Sequence, residues 1–301
     1  MSFASQVKSE LCRAGLNRKC CAVAEAYGIL LFCNRFAADG IRVVTENDAF
    51  AARLPLLFKK AFKLTFDRLP AAEETGKRVF SVTRGEKLAA IREVYGMDPS
   101  GLPAHHVNYG VLEERCCQLS FLRGAFLAGG SVTDPEKGYH LELATSHYNV
   151  SREAYALMQE CGLSPKQTVR KSNYVTYFKQ SESIEDFLTA VGAPVAAMEI
   201  MNAKVEKTLR CSVNRRVNCD AANLDKTVEA AQGQLAAIRQ LDRSGRMETL
   251  PEKLREAALL RLEHPEDSLE QLAALCDPPV TKSALNHRLR KLMALAREKE
   301  S

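Results

Sequence analysis

The sequence has no long apolar run, no signal-like N-terminus and no Cys-x-x-Cys pair. Its longest apolar stretch, around Gly28 to Cys33, is far shorter than the roughly 20 residues that a membrane-spanning helix needs. The segment MSFASQVKSELCRAG is polar and begins like an amphipathic helix, without the apolar core and small-residue cleavage site of a secretory signal. We therefore expect a cytoplasmic protein that has no membrane partner.

The ten cysteines do not have the spacing of a disulfide framework, because the chain is long and the intervals are irregular. Two vicinal pairs occur, Cys20–Cys21 and Cys116–Cys117. Adjacent cysteines do not easily place both sulfurs on one tetrahedral metal. We interpret the cysteines as small apolar residues in a reducing compartment and predict no metal and no cofactor. A metal or redox role is the alternative.

The formal net charge of +5 permits binding to a polyanion without demanding it. Hydrophobic residues make up 46% of the 301 residues, which is enough for real cores and for two domains. Neither the net charge nor the hydrophobic content indicates one class of function, so function has to be inferred from local sequence patterns.

The first two thirds of the chain contain two copies of a helix–strand–helix–strand pattern, about 95 residues apart. The copies meet near MDPSGLPAHH, and strands such as YHLELATS alternate, with Leu141 and Leu143 on one face. We predict an α+β fold in which residues 1–205 form two halves, about 1–100 and 101–205, related by a pseudo-two-fold axis. A basic linker at 206–225 and an all-α helix-turn-helix domain at 226–301 would follow.

The C-terminal segment has the signals of two capped helices separated by a break. Ser268 with Gln271 forms a capping box before SLEQLAAL, and Thr281 is placed to cap the next helix. Pro278 and Pro279 must end the first helix. The CDPPV break is longer than the usual turn of a helix-turn-helix, which leaves the angle between the helices open.

The last helix separates an apolar stripe from a polar, basic face. Leu285, Leu289, Leu292 and Ala296 fall on one side at helical spacing. We predict that the other side reads double-stranded DNA in the major groove, because it carries base-edge donors among cations. These residues are Lys282, Ser283, Asn286, His287 and Arg290, with Arg288 and Lys291 at the flanks. The alternative is a solvated helix of a bundle.

Two further basic segments are candidates for contacts with the DNA backbone. The linker carries Lys204, Lys207, Arg210, Arg215 and Arg216. The segment KQTVRKSNYVTYFK carries Lys166, Arg170, Lys171 and Lys179 near Tyr174 and Tyr177. For both segments an ordinary solvated surface is the alternative.

Two apolar helices, EAYGILLFCNRF and FLRGAFLAGGSV, have a glycine at mid-helix. Gly28 and Gly124 each cost helix stability, about 1 kcal/mol against alanine. We expect that they allow two helix backbones to approach closely.

FLRGAFLAGGSV resembles the LAGLIDADG motif of homing endonucleases, and AYGILLFCN fits it more loosely. In that family the paired motif helices each end in an acid that holds a divalent metal over DNA. The corresponding positions here are Cys33 and Gly129, which offer no carboxylate oxygen to Mg²⁺. Asp39 and Asp134 lie beyond the motif ends. The resemblance therefore implies the fold without nuclease activity, and a metal-dependent endonuclease is the unfavoured alternative.

Together with NRRVNCDAANLDKTVEAAQGQL, DPEKGYHLEL and SLEQLAALCDPPVTKSALNHRLRKL, the degenerate motifs resemble the WhiA family of Gram-positive bacteria over essentially the whole chain. The resemblance implies a non-enzymatic DNA-binding regulator, linked to sporulation, cell division or chromosome segregation and located at the nucleoid. A scaffold that binds another transcription regulator or a division protein, with secondary DNA binding, is the other hypothesis. The operator, the target genes and the oligomeric state are left open.

Overall fold

A computed structural model describes residues 2–71, 76–98 and 105–298 of the chain. Two compact units are present, Met1–Lys207 and Thr208–Ser301. Most of the predicted junction MDPSGLPAHH, residues 99–104, lies outside the described residues.

The first half of the first unit surrounds a three-stranded antiparallel sheet of order β1-β2-β3. Its elements are α1 (Phe3–Leu11), α2 (Lys19–Phe32), β1 (Arg35–Ala37), β2 (Gly40–Thr45), α3 (Asp48–Phe62), β3 (Arg78–Val82) and α4 (Gly85–Val94). The second half has a four-stranded antiparallel sheet of order β4-β5-β7-β6. Its elements are a 3-10 helix (Tyr109–Val111), α5 (Arg115–Gly129), β4 (Gly130–Val132), β5 (Leu141–Thr145), α6 (Tyr148–Glu160), β6 (Lys166–Arg170), β7 (Asn173–Phe178) and α7 (Ser181–Val191).

The predicted α+β fold with two related halves is confirmed, and it contains strands that the sequence pattern did not indicate. β1 begins three residues after the end of α2, β4 follows α5 directly, and each strand has three residues. Strands this short have no alternation to detect. The two halves also differ at one edge, because in the described residues of the first half an isolated bridge between Arg68 and Ser81 lies where the second half has β6.

The centre of the first unit is the contact between α2 and α5, where the mid-helix glycines replace side chains. A β-carbon added at Gly28 would overlap the Phe121 carbonyl oxygen and lie 2.7 Å from the Ala125 nitrogen. One added at Gly124 would overlap the carbonyl oxygen of Glu25. The expectation of close backbone approach is confirmed.

A buried ion-pair network lies beside this contact. Glu25 is 1% exposed and Arg53 of α3 is 5% exposed. The Arg53 guanidinium binds both carboxylate oxygens, at 2.6 Å and 2.8 Å. Arg123 of α5 approaches the same carboxylate at 3.3 Å. One carboxylate therefore links three helices, α2, α3 and α5.

Helix α8 (Pro194–Arg243) runs through the predicted linker, so residues 206–225 are helical. The segment is polar and basic but contains neither glycine nor proline, so nothing in it ends a helix. The second unit is completed by α9 (Glu252–Glu263), α10 (Leu269–Leu275) and α11 (Lys282–Arg297). In the part of the chain that the structure describes, no helix is long and apolar enough to cross a membrane.

Candidate nucleic-acid interface

The predicted helix boundaries around the break CDPPV are confirmed by their caps. The Ser268 hydroxyl accepts a hydrogen bond from the Gln271 amide, and the Gln271 side chain accepts one from the Ser268 amide. Thr281 Oγ1 accepts a hydrogen bond from the Ala284 amide at 3.2 Å. Helix α10 therefore ends before the prolines and α11 begins directly after Thr281.

The apolar stripe of α11 is buried against the rest of the second unit. Leu285, Leu289 and Leu292 are fully buried and Ala296 is nearly so. Their cluster includes Leu254 and Ala258 of α9, and Leu272 and Ala273 of α10. This burial determines which side of α11 faces solvent.

The predicted reading residues do not have equal exposure. The exposed ones are Lys282, Ser283, His287, Arg290 and Lys291. Asn286 is half-buried. Arg288 is also half-buried, and its guanidinium pairs with Glu256 of α9 at 3.0 Å. Arg288 thus holds α11 against α9, whereas the exposed side chains have no such role in packing.

Glu256 is a residue of this interface that the sequence analysis missed. Its other carboxylate oxygen accepts a hydrogen bond from the Asp277 amide at 2.7 Å. It therefore ties the break between α10 and α11 to α9. No local signal could have indicated this, because Glu256 lies about twenty residues before its partner, in a different helix.

The predicted backbone-binding cations of the linker fall into two groups. Arg210, Arg215 and Arg216 are exposed on α8. Lys204 pairs with Glu182 of α7. Lys207 donates to the Pro135 carbonyl at 2.5 Å and lies 4.9 Å from the centre of the Tyr139 ring. These two lysines have partners within the first unit.

The hairpin of β6 and β7 carries the second basic segment. All five residues of β6 are exposed, and Lys171 at the turn has a left-handed backbone, with φ of 56°. Arg170 pairs with Glu142 at 2.6 Å. Burial would raise the pKa of Glu142, but hydrogen bonds from His140 and Arg170 outweigh burial and lower this pKa. Lys179 lies 5.5 Å from the centre of the Tyr177 ring.

The C-terminal ends of α2 and α5, where homing endonucleases carry acids, are closed here. The Cys33 thiol lies 3.2 Å from the Leu30 carbonyl oxygen and 3.1 Å from that of Arg35, either of which can accept its one hydrogen, and burial raises the pKa of this thiol to about 12. At Gly129 a β-carbon would lie 2.8 Å from the Ala144 carbonyl oxygen and 3.0 Å from the Phe32 ring. Position 129 therefore has no room for a carboxylate side chain.

The two acids beyond the motif ends have other partners. Asp39 pairs with Arg35 at 2.5 Å, and both side chains are exposed. Asp134 accepts a hydrogen bond from the Glu136 amide at 2.9 Å. Neither contact resembles a shared metal site.

A cleft of about 760 Å³ lies beside these helix ends and was not predicted. Its lining includes the cations Lys8 of α1, Arg42 of β2 and Lys77, and also Asn34. Burial lowers the pKa of Lys8 to about 8. Because these residues come from separate elements, no spacing in the sequence indicates the cleft.

A LAGLIDADG-like α+β unit followed by a helical helix-turn-helix unit defines the class of protein. Family models agree: the WhiA LAGLIDADG-like domain matches residues 118–210 and the WhiA C-terminal HTH domain matches residues 213–296. The chain is 36% identical over 304 residues to a probable cell division protein WhiA of Ruminiclostridium cellulolyticum, covering 98% of this chain and 97% of that protein. A protein of the same name from Alkaliphilus metalliredigens is 37% identical, with 98% of both chains covered. The chain belongs to the WhiA family.

Solved structures agree on the fold. The crystal structure of full-length WhiA from Thermatoga maritima matches all of both chains with a TM-score of 0.61 at 23% identity. An N-terminal LAGLIDADG domain of WhiA matches 64% of this chain and 90% of that domain, with a TM-score of 0.51 at 19% identity. At these identities the likeness concerns the fold alone.

Proposed function

We propose that this protein is a sequence-specific DNA-binding transcription regulator that uses α11 to read the major groove. The observation that carries the proposal is the division of α11 into a buried leucine stripe and an exposed face with Lys282, Ser283, His287 and Arg290. Such a face offers hydrogen bonds to base edges and positive charge to phosphates. The relatives' name supports a role in cell division. Sporulation and chromosome segregation are the further processes in which we propose such regulation.

We propose that contacts with the DNA backbone come from basic surfaces in both units. In the second unit, Arg210, Arg215 and Arg216 are exposed on α8. In the first unit the exposed cations include Lys166 and Lys171 of the basic hairpin, and Arg42 and Lys77 at the cleft, where Lys8 is half-buried. Such contacts add affinity without sequence information.

We predict that Arg290→Ala and Asn286→Ala each reduce the discrimination between cognate and random duplex by about 1–3 kcal/mol. Each removes a side chain capable of a bidentate contact with a base. The cognate duplex is first selected from genomic fragments bound by the full chain, and affinities for both duplexes are then measured. If both variants gave the same DNA footprints as the parent protein, α11 would not be the helix that reads the major groove.

Arg297→Ala is the matched control for this measurement. Arg297 is exposed in the last turn of the same helix, so its loss removes one charge far from the N-terminal part of α11 that would contact the bases. We expect Arg297→Ala to leave the ratio of the two affinities unchanged.

A salt series on the parent protein tests the scaffold alternative, because a DNA affinity that barely depends on salt would speak against phosphate contacts.

We also propose that the LAGLIDADG-like unit has no nuclease activity, since neither Cys33 nor the closed position 129 supplies a carboxylate. We predict that supercoiled plasmid stays intact with Mg²⁺ or Mn²⁺ and the full chain. Metal-dependent nicking that disappears in Asp39→Ala or Asp134→Ala would overturn this proposal. Metal-dependent nicking that persists in both variants and after repurification would also overturn it.

A further inference from the structure

The two vicinal cysteine pairs, which are far apart in the sequence, meet in the fold. Cys20 and Cys21 lie in the first turn of α2, and Cys116 and Cys117 lie in the first turn of α5. The four Sγ atoms all lie within 4.8 Å of one another. We define these residues as the cysteine cluster. It lies at the N-terminal ends of the two central helices, opposite the ends that carry Cys33 and Gly129.

We propose that the cysteine cluster is a structural zinc site with four thiolate ligands. Zinc in closed structural sites is bound tetrahedrally by four cysteines with Zn–S distances of about 2.3 Å, which makes each S···S edge about 3.8 Å. Sγ of Cys116 and Sγ of Cys117 are already 4.0 Å apart, so adjacent cysteines can share one ion here. The other sulfur pairs need to move by about 1 Å or less to reach that edge.

The size of the cluster selects one ion rather than a larger inorganic group. All four sulfurs fall inside a span that a single tetrahedral centre fills. Soft thiolates without any carboxylate or imidazole favour zinc over the hard cations Mg²⁺ and Ca²⁺.

Two features of the cluster stabilise negative charge on sulfur, against the burial that raises the pKa of the Cys21 and Cys117 thiols. The four cysteines lie at two helix N-termini, where the backbone N–H groups and the helix dipole stabilise anions. Arg18 donates a hydrogen bond from Nη1 to Sγ of Cys116 at 3.3 Å. Together these groups offset the charge that four thiolates would bring around a divalent ion.

The position of the site indicates a structural role, which is to join the two halves of the first unit. Two ligands come from each pseudo-two-fold-related half, so a bound ion would link α2 to α5 at the end away from the cleft lined by Lys8, Arg42 and Lys77. The two halves would then be joined by the glycine contact at mid-helix and by the metal at the helix starts. This inference does not depend on the proposed function, since it concerns stability and metal content only.

The test measures zinc in the full chain, purified under reducing, chelator-free conditions. We expect about one zinc ion per chain by elemental analysis. The double variant Cys20→Ser/Cys116→Ser should fall to the level of metal-free buffer. The matched control is Cys211→Ser/Cys219→Ser, because both cysteines are exposed on α8 outside the cluster. This control should keep the parental zinc content.

A second measurement covers the case in which the double variant does not fold. Co²⁺ added to the zinc-free parent should give the visible absorption bands of a tetrahedral tetrathiolate centre, and Zn²⁺ should remove them by displacement. Absence of both stoichiometric zinc and these bands would overturn the proposal. So would a stoichiometric iron–sulfur cluster, disulfides between the two pairs in freshly purified protein, or parental zinc content in a folded Cys20→Ser/Cys116→Ser variant.

Discussion

Replacing Gly28 by alanine should lower the free energy of unfolding of the first unit by about 3 kcal/mol, the upper part of the range for overpacking a core. The new β-carbon would overlap the backbone of α5 at Phe121 and Ala125, which cannot move away as a flexible side chain can. The two central helices would have to separate, and the contacts along their whole interface would loosen. Gly124→Ala should have a similar effect, because its β-carbon would overlap the carbonyl of Glu25.

Urea denaturation followed by circular dichroism measures this loss, with Gly138→Ala as the control. A β-carbon at Gly138 meets nothing within 4 Å, and the glycine lies in the same unit, outside its helices and strands. The control should stay within about 0.5 kcal/mol of the parent. Gly28→Ala with the stability of the control would show that the helices are not in backbone contact.

Removing the buried carboxylate of Glu25 should have an equal or larger effect. We predict that Glu25→Ala destabilises the first unit by about 3–5 kcal/mol, because Arg53 and Arg123 would be left without their charge partner in the core. Arg53 has other acceptors, the carbonyls of Cys12 and Ala14, but these carry no full charge. Denaturant titration again provides the measurement.

Asp39→Ala is the matched control, since it also removes a carboxylate paired with an arginine. The Arg35–Asp39 pair is exposed, with 55% and 69% of the two side chains accessible, so its loss should cost at most about 1 kcal/mol. Adding Arg53→Met to Glu25→Ala should recover part of the lost stability, because it removes a buried unpaired charge. If Glu25→Ala were no worse than Asp39→Ala, the network would not be a stabilising element of the core.

The helix-turn-helix shows how far local signals reach. The caps at Ser268 and Thr281, the two prolines and the stripe from Leu285 to Ala296 predicted where α10 begins and ends, where α11 begins and which face of α11 is buried. These features depend on neighbours within one turn of helix, so they can be read from spacing. The ion pair between Arg288 and Glu256 joins two helices, and no local spacing in the sequence indicates it.

In the two repeated halves, too, local patterns predicted the main elements but not the features that depend on tertiary contacts. The pattern predicted two α+β copies and their apolar helices, because helical and strand periodicities differ over a few residues. It did not predict the short strands β1 and β4, whose pairing depends on β2 and β5 being in place. For residues 206–225 the polar composition suggested a linker, whereas the absence of glycine and proline in that segment allowed α8 to continue through it.

The amino-acid sequence alone was enough to predict the family, the capped C-terminal helices, the close approach at the mid-helix glycines and the absence of acids at positions 33 and 129. Each of these features depends on the types of residues that lie close together in the sequence. Tertiary structure alone decided that position 129 is sterically closed, that Glu25 lies between two arginines and that Lys8, Arg42 and Lys77 line one cleft. It also brought Cys20–Cys21 to Cys116–Cys117. Contacts between residues nearly a hundred positions apart depend on how helices and sheets pack, and local spacing does not encode that packing.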